Sequence, residues 1–228
     1  MPGIKKFSII LFFVILGLAL FFVVLKPYLT AKYIFIAKKY AKGQYTCTLD
    51  NNGRHVGRLY KISNGKKKLL KTYISNSCIF ARPKVNAGFF VFAIGGGGGA
   101  TPYESGHAGQ IISKFKNIPQ SIVVIKIGKG GHGTFVGEDG TFIDAQDGYP
   151  TIIDDLNMVA MGGSKSTRMT PLGHEPVIVD YHIPEKYHFL YDISKSAKYG
   201  AGGQYNLHTK GSSAKAESGH SGAVIIQW

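Results

Sequence analysis

The chain has 228 residues, of which 44% are hydrophobic, so it has room for one globular domain of ordinary size and an accessory segment. Its formal net charge of +14 is unevenly placed. Residues 26–82 contain thirteen Lys and Arg against a single acid, Asp50, whereas residues 83–228 contain twelve basic and twelve acidic residues. This distribution excludes a uniformly basic protein. The charged first third favours contact with anionic lipid headgroups or another polyanion, or else forms a solvated collar.

A transmembrane helix is predicted near the N-terminus. Phe7–Leu25 is a run of nineteen uncharged residues between Lys6 and Lys26, about the length that crosses a bilayer core. The run is longer than the apolar region of a cleaved secretory signal, so we expect an uncleaved anchor. Aromatic residues at helical spacing extend the helix as a stalk, which gives a first unit at residues 1–43. The anchoring residues are Phe7, Leu11, Phe12, Leu16, Leu20 and Leu25.

The orientation of this anchor has two opposing indications. Two lysines precede the span and at least five follow it, which by the positive-inside rule places the large domain in the cytoplasm. The only two cysteines, Cys47 and Cys78, bracket a β-like segment, and such a pair suits a disulfide in an oxidising compartment. Two buried free thiols are the alternative.

Residues 44–82 are predicted to form a small basic β element. Strands are expected at Gln44–Leu49, Arg58–Ser63 and Lys66–Ile74. The Asn64-Gly65 dipeptide between the last two is a strong hairpin signal. A bond between Cys47 and Cys78 would join the start of this element to its end.

Residues 83–228 are predicted to form a glycine-rich β domain. Phe89–Ile94 has the composition of a buried strand and runs into five glycines, where the missing Cβ lets backbone pack on backbone or adopt a positive φ. Further strands, separated by glycine turns, are expected at 110–115, 121–127, 134–136, 141–144, 158–161 and 222–228. The glycine-poor residues 164–199 are predicted to be an insertion loop. The predicted glycine core consists of Gly95, Gly96, Gly97, Gly98, Gly99, Gly128, Gly130 and Gly131.

The order of these motifs resembles that of glycine-rich domains in bacterial and phage surface proteins, including some phage tail-fibre adhesins. The shared motifs are a Pro-and-Val strand entry, a glycine run, a Pro-led strand ending in Ile-Gly-x-Gly-Gly, a later Gly-Gly pair and a terminal Gly-Ala-Val-Ile-Ile-x-Trp strand. Here they stand at Pro83–Val85, Gly95–Gly99, Pro119–Gly131, Gly162-Gly163 and Gly222–Trp228. The resemblance covers about 83–163 and 200–228 and implies an exported structural or adhesive module, which favours a domain outside the cytoplasm. The glycine-richest members resemble packed polyglycine helices, but this sequence has fewer glycines and the insertion, so glycine turns are expected instead.

The N-terminus is similar, more weakly, to that of type IV pilin-like proteins. Basic residues precede Phe7 and a long apolar helix, and Pro27 follows. Lys6 stands where that family has the glycine cut by its peptidase, and Leu11 stands where it has an acid. Standard processing and assembly would then be unexplained. A pilin-like subunit of an extracellular filament is one alternative function.

No constellation in the sequence is typical of an active site, and no metal or cofactor is predicted. His107, His132 and His220 each lie beside glycines, and they would hold a metal only if the glycine turns met at one end. Polar turn residues are the ordinary explanation. Gly162–Thr167 and Ser218–Gly222 lack the order and spacing of a phosphate loop and of a nucleophile elbow.

Aromatic residues in the insertion are the better functional indication. Such side chains offer contact area to glycans or proteins at low entropic cost, although a small satellite core under the loop is the more ordinary interpretation. The possible ligand contacts are Tyr181, Tyr187, Phe189 and Tyr191.

Taken together, these patterns predict a mainly β protein with an N-terminal transmembrane helix and stalk. We expect a non-catalytic structural or adhesion role at a surface. The expected partners are the membrane, through a single pass, and another copy of the chain or a surface partner such as a glycan; nucleic acid is not expected. The second alternative is a cytoplasmic-facing binder of anionic lipid or nucleic acid through residues 26–82.

Overall fold

The computed structural model of the chain describes residues 42–83, 88–101, 104–118, 122–136, 141–166, 198–204 and 216–228. These residues form mainly β structure, which confirms that part of the predicted fold class. Within them, no helix has the length and apolar character needed to span a bilayer. The predicted anchor and stalk, and nearly all of the insertion, lie outside the described residues.

Twelve strands occur in the described ranges, and most lie where the sequence predicts them. β4 and β10 are not predicted. The strands are β1 Gly43–Leu49, β2 His55–Ser63, β3 Lys66–Ser75, β4 Cys78–Ala81, β5 Phe89–Ile94, β6 Ile111–Lys116, β7 Ile122–Ile125, β8 Phe135–Val136, β9 Phe142–Ile143, β10 Thr151–Ile153, β11 Met158–Ala160 and β12 Ala223–Gln227.

Six strands form one antiparallel sheet in the order β3-β2-β1-β12-β5-β6. In β1, Tyr45 lies opposite Leu59 of β2 and Ile226 of β12. The basic β element, expected as a separate unit, therefore shares its sheet with strands of the glycine-rich domain. At the predicted hairpin turn, Asn64 and Gly65 have φ values of 50° and 71°, the positive values that a type I′ turn requires.

A second layer covers one face of this sheet. β4 pairs with β7, β10 pairs with β11, and a single bridge joins the two ribbons. Side chains from both layers form one buried cluster. Its aromatic centre is Phe80 of β4, whose ring centroid lies 5.4 Å from that of Tyr45, 6.0 Å from that of Phe89 and 5.6 Å from that of Trp228. Aromatic side chains bury the most area per residue, so this cluster is the main hydrophobic tie between the layers.

Cys47 and Cys78 form a disulfide, which confirms the predicted pairing. Cys47 belongs to β1 and Cys78 to β4, so the bond joins the six-stranded sheet to the second layer. Both side chains are buried in the core between them.

At one end of the sheet the chain forms seven extended segments rather than turns. Segment 1 (residues 95–101) continues β5 and lies at the centre. The six segments around it are segment 2 (104–110), segment 3 (128–134), segment 4 (144–150), segment 5 (161–166), segment 6 (200–204) and segment 7 (216–222). Together they are named the glycine bundle.

Hydrogen bonds show how segment 1 is surrounded. Successive N–H groups of segment 1 donate hydrogen bonds to three antiparallel neighbours in turn. Residues 95 and 98 donate to segment 2, residues 96 and 99 to segment 4, and residues 97 and 100 to segment 7. The carbonyls of segment 1 accept N–H groups from segments 3, 5 and 6, which run parallel to it. A three-residue period without internal hydrogen bonds is the geometry of a polyproline II helix. The expectation of glycine turns is therefore wrong here, and the glycines form a packed array of such helices.

Close packing, and not a positive φ, requires glycine in segment 1. A Cβ on Gly97 would lie 2.0 Å from the carbonyl oxygen of Ala201, and one on Gly98 would lie 2.0 Å from that of Ser164. Gly95–Gly99 all lack a positive φ. Of the two explanations that the sequence allows for the missing Cβ, backbone packing on backbone is the one that applies.

Thr151 completes the bundle where it meets the sheet. The Gly131 N–H of segment 3 donates to the Gly97 carbonyl of segment 1, and the N–H of residue 134 donates to the carbonyl of residue 100. The same three-residue step would pair the Gly128 N–H with the Ile94 carbonyl. At that position the buried Thr151 hydroxyl intervenes. It accepts the Gly128 N–H at 2.9 Å and donates to the Ile94 carbonyl at 2.6 Å. One hydroxyl thus satisfies two buried backbone groups.

Removing that hydroxyl should destabilise the fold more than removing the methyl group. Thr151→Val leaves the buried Gly128 N–H without its acceptor and removes one donor from the Ile94 carbonyl, which we expect to cost about 2 kcal/mol. Thr151→Ser keeps the hydroxyl and loses only one methyl group, at about 1 kcal/mol. The measurement is the urea unfolding midpoint of the full chain, followed by Trp228 fluorescence. Equal midpoints for the two variants would contradict the bridging role.

His55 joins the sheet to the residue that precedes segment 3 of the bundle. Its Nε2 accepts the backbone N–H of Ile127 at 3.0 Å, so this ring nitrogen carries no proton and the neutral ring is protonated on Nδ1. Burial, and secondarily the nearby charge of Lys129, lower the pKa of His55 below its usual value. The folded protein therefore favours the neutral imidazole.

This preference makes stability depend on pH. The pKa of His55 is lower in the folded chain than its ordinary value of 6.5. Between these two pKa values the unfolded chain therefore binds more protons than the folded chain. Stability is then fully present above pH 6.5 and falls as pH drops through the folded-state pKa. We expect the acid-side slope of the urea midpoint to be shallower in His55→Gln, whose amide oxygen still accepts the Ile127 N–H. An unchanged slope would show that other groups carry the acid dependence.

Candidate binding end of the glycine bundle

The directions of the seven segments bring one end of each segment together. Segments 1, 3, 5 and 6 run away from the sheet, and segments 2, 4 and 7 return toward it. Residues 101, 104, 134, 144, 204 and 216, the described ends of these segments, therefore lie at the far end of the bundle. Ser166, the last described residue of segment 5, also lies there. This far end is named the distal end.

Two carboxylates at the distal end bond to neighbouring segments. Glu104 and Ser166 are buried, and the Ser166 hydroxyl donates to the Glu104 carboxylate. On the other side, Glu217 Oε2 accepts the backbone N–H of Gln204 at 3.0 Å. These carboxylates bond to segments 5 and 6 where the backbone ladder ends, so they cap the bundle.

A charged group lies on the flank near this end. Lys165 Nζ is 2.5 Å from Asp144 Oδ2, and the Lys165 N–H donates to Asp147 Oδ1 at 2.6 Å. The side-chain hydrogen bond from Lys165, with smaller contributions that include the charge of His132, lowers the pKa of Asp144. Because these groups are exposed, they fix the relative position of segments 4 and 5 more than they add stability.

The three glycine-flanked histidines lie on different segments. His107 is in segment 2, His132 in segment 3 and His220 in segment 7. His132 packs edge-on against Phe135 with 6.3 Å between ring centroids, and His220 Nε2 is 3.7 Å from Glu217 Oε1. Across the part of the chain that the structure describes, no three His, Cys, Asp or Glu side chains are grouped so as to hold a metal ion.

The predicted site residues divide into two groups. The predicted glycine core lies in segments 1 and 3, and Gly95–Gly99 are the centre of the bundle. The possible ligand contacts Tyr181, Tyr187, Phe189 and Tyr191 lie outside the described residues, as do the anchoring residues Phe7, Leu11, Phe12, Leu16, Leu20 and Leu25.

Sequence reasoning missed the residues that organise the bundle without being glycine. Ala145 and Ala216 are buried at positions three residues before Gly148 and Gly219, which face segment 1. The signal was the three-residue spacing of small residues, which is visible in Gly106-x-x-Gly109 and Gly219-x-x-Gly222. Thr151 and His55 gave no such signal, because their roles depend on partners far away in the chain.

Comparison with known proteins gives no relative: no protein-family model, no curated protein and no solved structure matches this chain. The functional argument therefore depends on the residues and their arrangement.

Proposed function

We propose that this chain is a membrane-anchored, surface-exposed protein with a structural or adhesive, non-catalytic role. The observation that carries the proposal is the topology of the glycine bundle, which brings one end of each of its seven segments together at the distal end. The chain enters the sheet from the N-terminal side at Gly43, which pairs with Lys61 and not with a bundle residue. The distal end is therefore presented away from the point of entry, as a binding surface on a support.

The disulfide supports the extracytoplasmic placement. Disulfides form and persist in oxidising compartments and are rare in the cytosol. The bond between Cys47 and Cys78 joins the two layers of the core, so it belongs to the structural framework and not to an exposed redox pair.

The glycine bundle is suited to support a binding surface, because its interior is hydrogen-bonded and closely packed. Each of the residues 95–100 donates a backbone hydrogen bond to a neighbouring segment, and the carbonyls of residues 96–100 accept one from another. The interior of the array contains backbone and very small side chains, so it has few rotamers to order and little room to deform.

A steric block tests the adhesive role. Gln204 is exposed at the distal end, and Lys126 is exposed on the outer face of the second layer, with 64% of its side chain accessible. Cells carrying Gln204→Cys or Lys126→Cys would be labelled with biotin-maleimide and coated with streptavidin. Their attachment to glass, to sister cells and to a printed glycan array would then be measured. We expect the block at Gln204→Cys to reduce attachment and the block at Lys126→Cys to leave it unchanged. Equal attachment of blocked and unblocked Gln204→Cys cells to every surface would contradict an adhesive distal end.

A further inference from the structure

One end of the six-stranded sheet, opposite the glycine bundle, is densely basic. The β2–β3 hairpin places Lys61 opposite Lys68 and Ser63 opposite Lys66, and all three lysines are exposed. Lys116 ends β6 beside Phe89 at the same end of the sheet. This surface, named the basic end, consists of Lys42, Lys61, Lys66, Lys67, Lys68 and Lys116.

The chain enters the sheet at the basic end. Gly43 pairs with Lys61 on one side and exchanges backbone hydrogen bonds of 3.1 Å with Trp228 on the other. At the opposite end of the same sheet, Ile94 leads directly into segment 1 of the bundle. A chain anchored by residues 7–25 thus approaches the domain through its lysine-rich side.

The described acidic residues lie elsewhere. Asp50 is in the β1–β2 turn, which is at the bundle end of the sheet. The other described carboxylates belong to the glycine bundle or to the 3-10 turn Asp154–Leu156 between β10 and β11. Of the charged side chains that the structure describes, those at the basic end are therefore all positive.

We propose that the basic end rests on the anionic headgroups of the bilayer in which the chain is anchored, and so holds the distal end away from the membrane. This inference rests on the proposed membrane anchorage. Lysines next to a membrane segment are attracted to anionic lipid over distances set by ionic screening. A nucleic acid is the less suitable occupant, because the proposed anchor lies on the N-terminal side of Gly43, which enters the sheet at the basic end, so the bilayer is the polyanion to which the chain is already attached.

Trp228 provides an internal probe of this arrangement, because it is the only tryptophan in the chain and contacts Gly43 at the basic end. The full chain would be reconstituted into vesicles of phosphatidylcholine alone or mixed with phosphatidylglycerol, each carrying dansyl-labelled headgroups. Energy transfer from Trp228 to dansyl then reports the distance between the basic end and the bilayer. We expect transfer to be higher in the anionic vesicles. This increase in energy transfer, named the anionic increment, should be lost at about 1 M salt, where the screening length is about 3 Å.

Matched charge variants give the specificity control. Lys66→Gln/Lys68→Gln removes two charges from the basic end, and Lys126→Gln/Lys129→Gln removes two exposed charges from the bundle half of the molecule. We expect the first double variant to reduce the anionic increment clearly, because two of the six lysines are lost, and the second to keep it unchanged. Equal energy transfer in the two kinds of vesicle, or an equal loss of the anionic increment in the two double variants, would overturn the proposal. So would binding of a duplex oligonucleotide that depends on Lys66 and Lys68 while anionic lipid has no effect.

An alkaline wash of the vesicles separates this result from failure of the anchor. Protein that stays with the membrane after the wash but shows no anionic increment contradicts only the docking of the basic end. Protein that is released by the wash contradicts the anchorage, and the docking proposal with it.

Discussion

Gly98→Ala should lose at least about 3 kcal/mol of stability, the upper part of the range for overpacking a well-packed interior. The new Cβ would lie 2.0 Å from the carbonyl oxygen of Ser164 and 2.4 Å from its carbonyl carbon. Backbone atoms cannot rotate away as a side chain can, so segment 5 would have to move. That movement would strain the hydrogen bonds that Gly163 and Ser166 donate to segment 1. The urea midpoint of the full chain, followed by Trp228 fluorescence, measures the loss.

Gly65→Ala is the matched control for this substitution. Gly65 has a φ of 71°, but a Cβ there would meet no atom within 4 Å. Its replacement costs only the left-handed backbone conformation, about 1–2 kcal/mol. If Gly98→Ala is no more destabilised than Gly65→Ala, the packing of segment 1 against its neighbours is not what requires glycine.

Loss of the disulfide should have an effect of similar size. Cys47 and Cys78 are separated by 31 residues, and closing a loop of that length stabilises a fold by about 3–4 kcal/mol in the chain-entropy account. We expect Cys47→Ala/Cys78→Ala to lower the free energy of unfolding by that amount, with some further loss because two buried side chains become smaller. The urea midpoint falls accordingly. A reductant should lower the midpoint of the native chain and leave that of the double variant unchanged. A native chain whose midpoint is unaffected after both cysteines are shown to be reduced would contradict this.

The sheet could be predicted from the sequence because each of its longer strands carries a local signal. Phe89–Ile94 is continuously apolar, the Asn64-Gly65 turn fixes the register of the β2–β3 hairpin, and the terminal strand has a strong β composition. The pairing of β1 with β12 carried no local signal, because it joins residues from opposite ends of the chain. That pairing is what unites the basic element with the glycine-rich domain.

The glycine bundle was not predicted for a different physical reason. A polyproline II array is stabilised by hydrogen bonds between segments and has no internal hydrogen bond, so no single segment specifies it. The sequence allows either a positive φ or packing of backbone on backbone for the glycine run, and at Gly97 and Gly98 the close approach of a neighbouring carbonyl requires the second. The distal end is defined by the packing of the seven segments, so it too could not be predicted from local sequence patterns. The basic end was visible as a run of lysines, but its place at the entry to the sheet depends on the fold.

The most direct test of an extracytoplasmic domain is labelling of the Gln204→Cys chain on intact cells with a membrane-impermeant maleimide, without reductant. Cys47 and Cys78 are buried and bonded to each other, so the native chain reports the background. We predict that Gln204→Cys is labelled on intact cells and that the native chain is labelled only after denaturation and reduction. If Gln204→Cys is labelled only after lysis, and the native cysteines react in denaturant without reductant, the domain is cytoplasmic and the surface function is wrong.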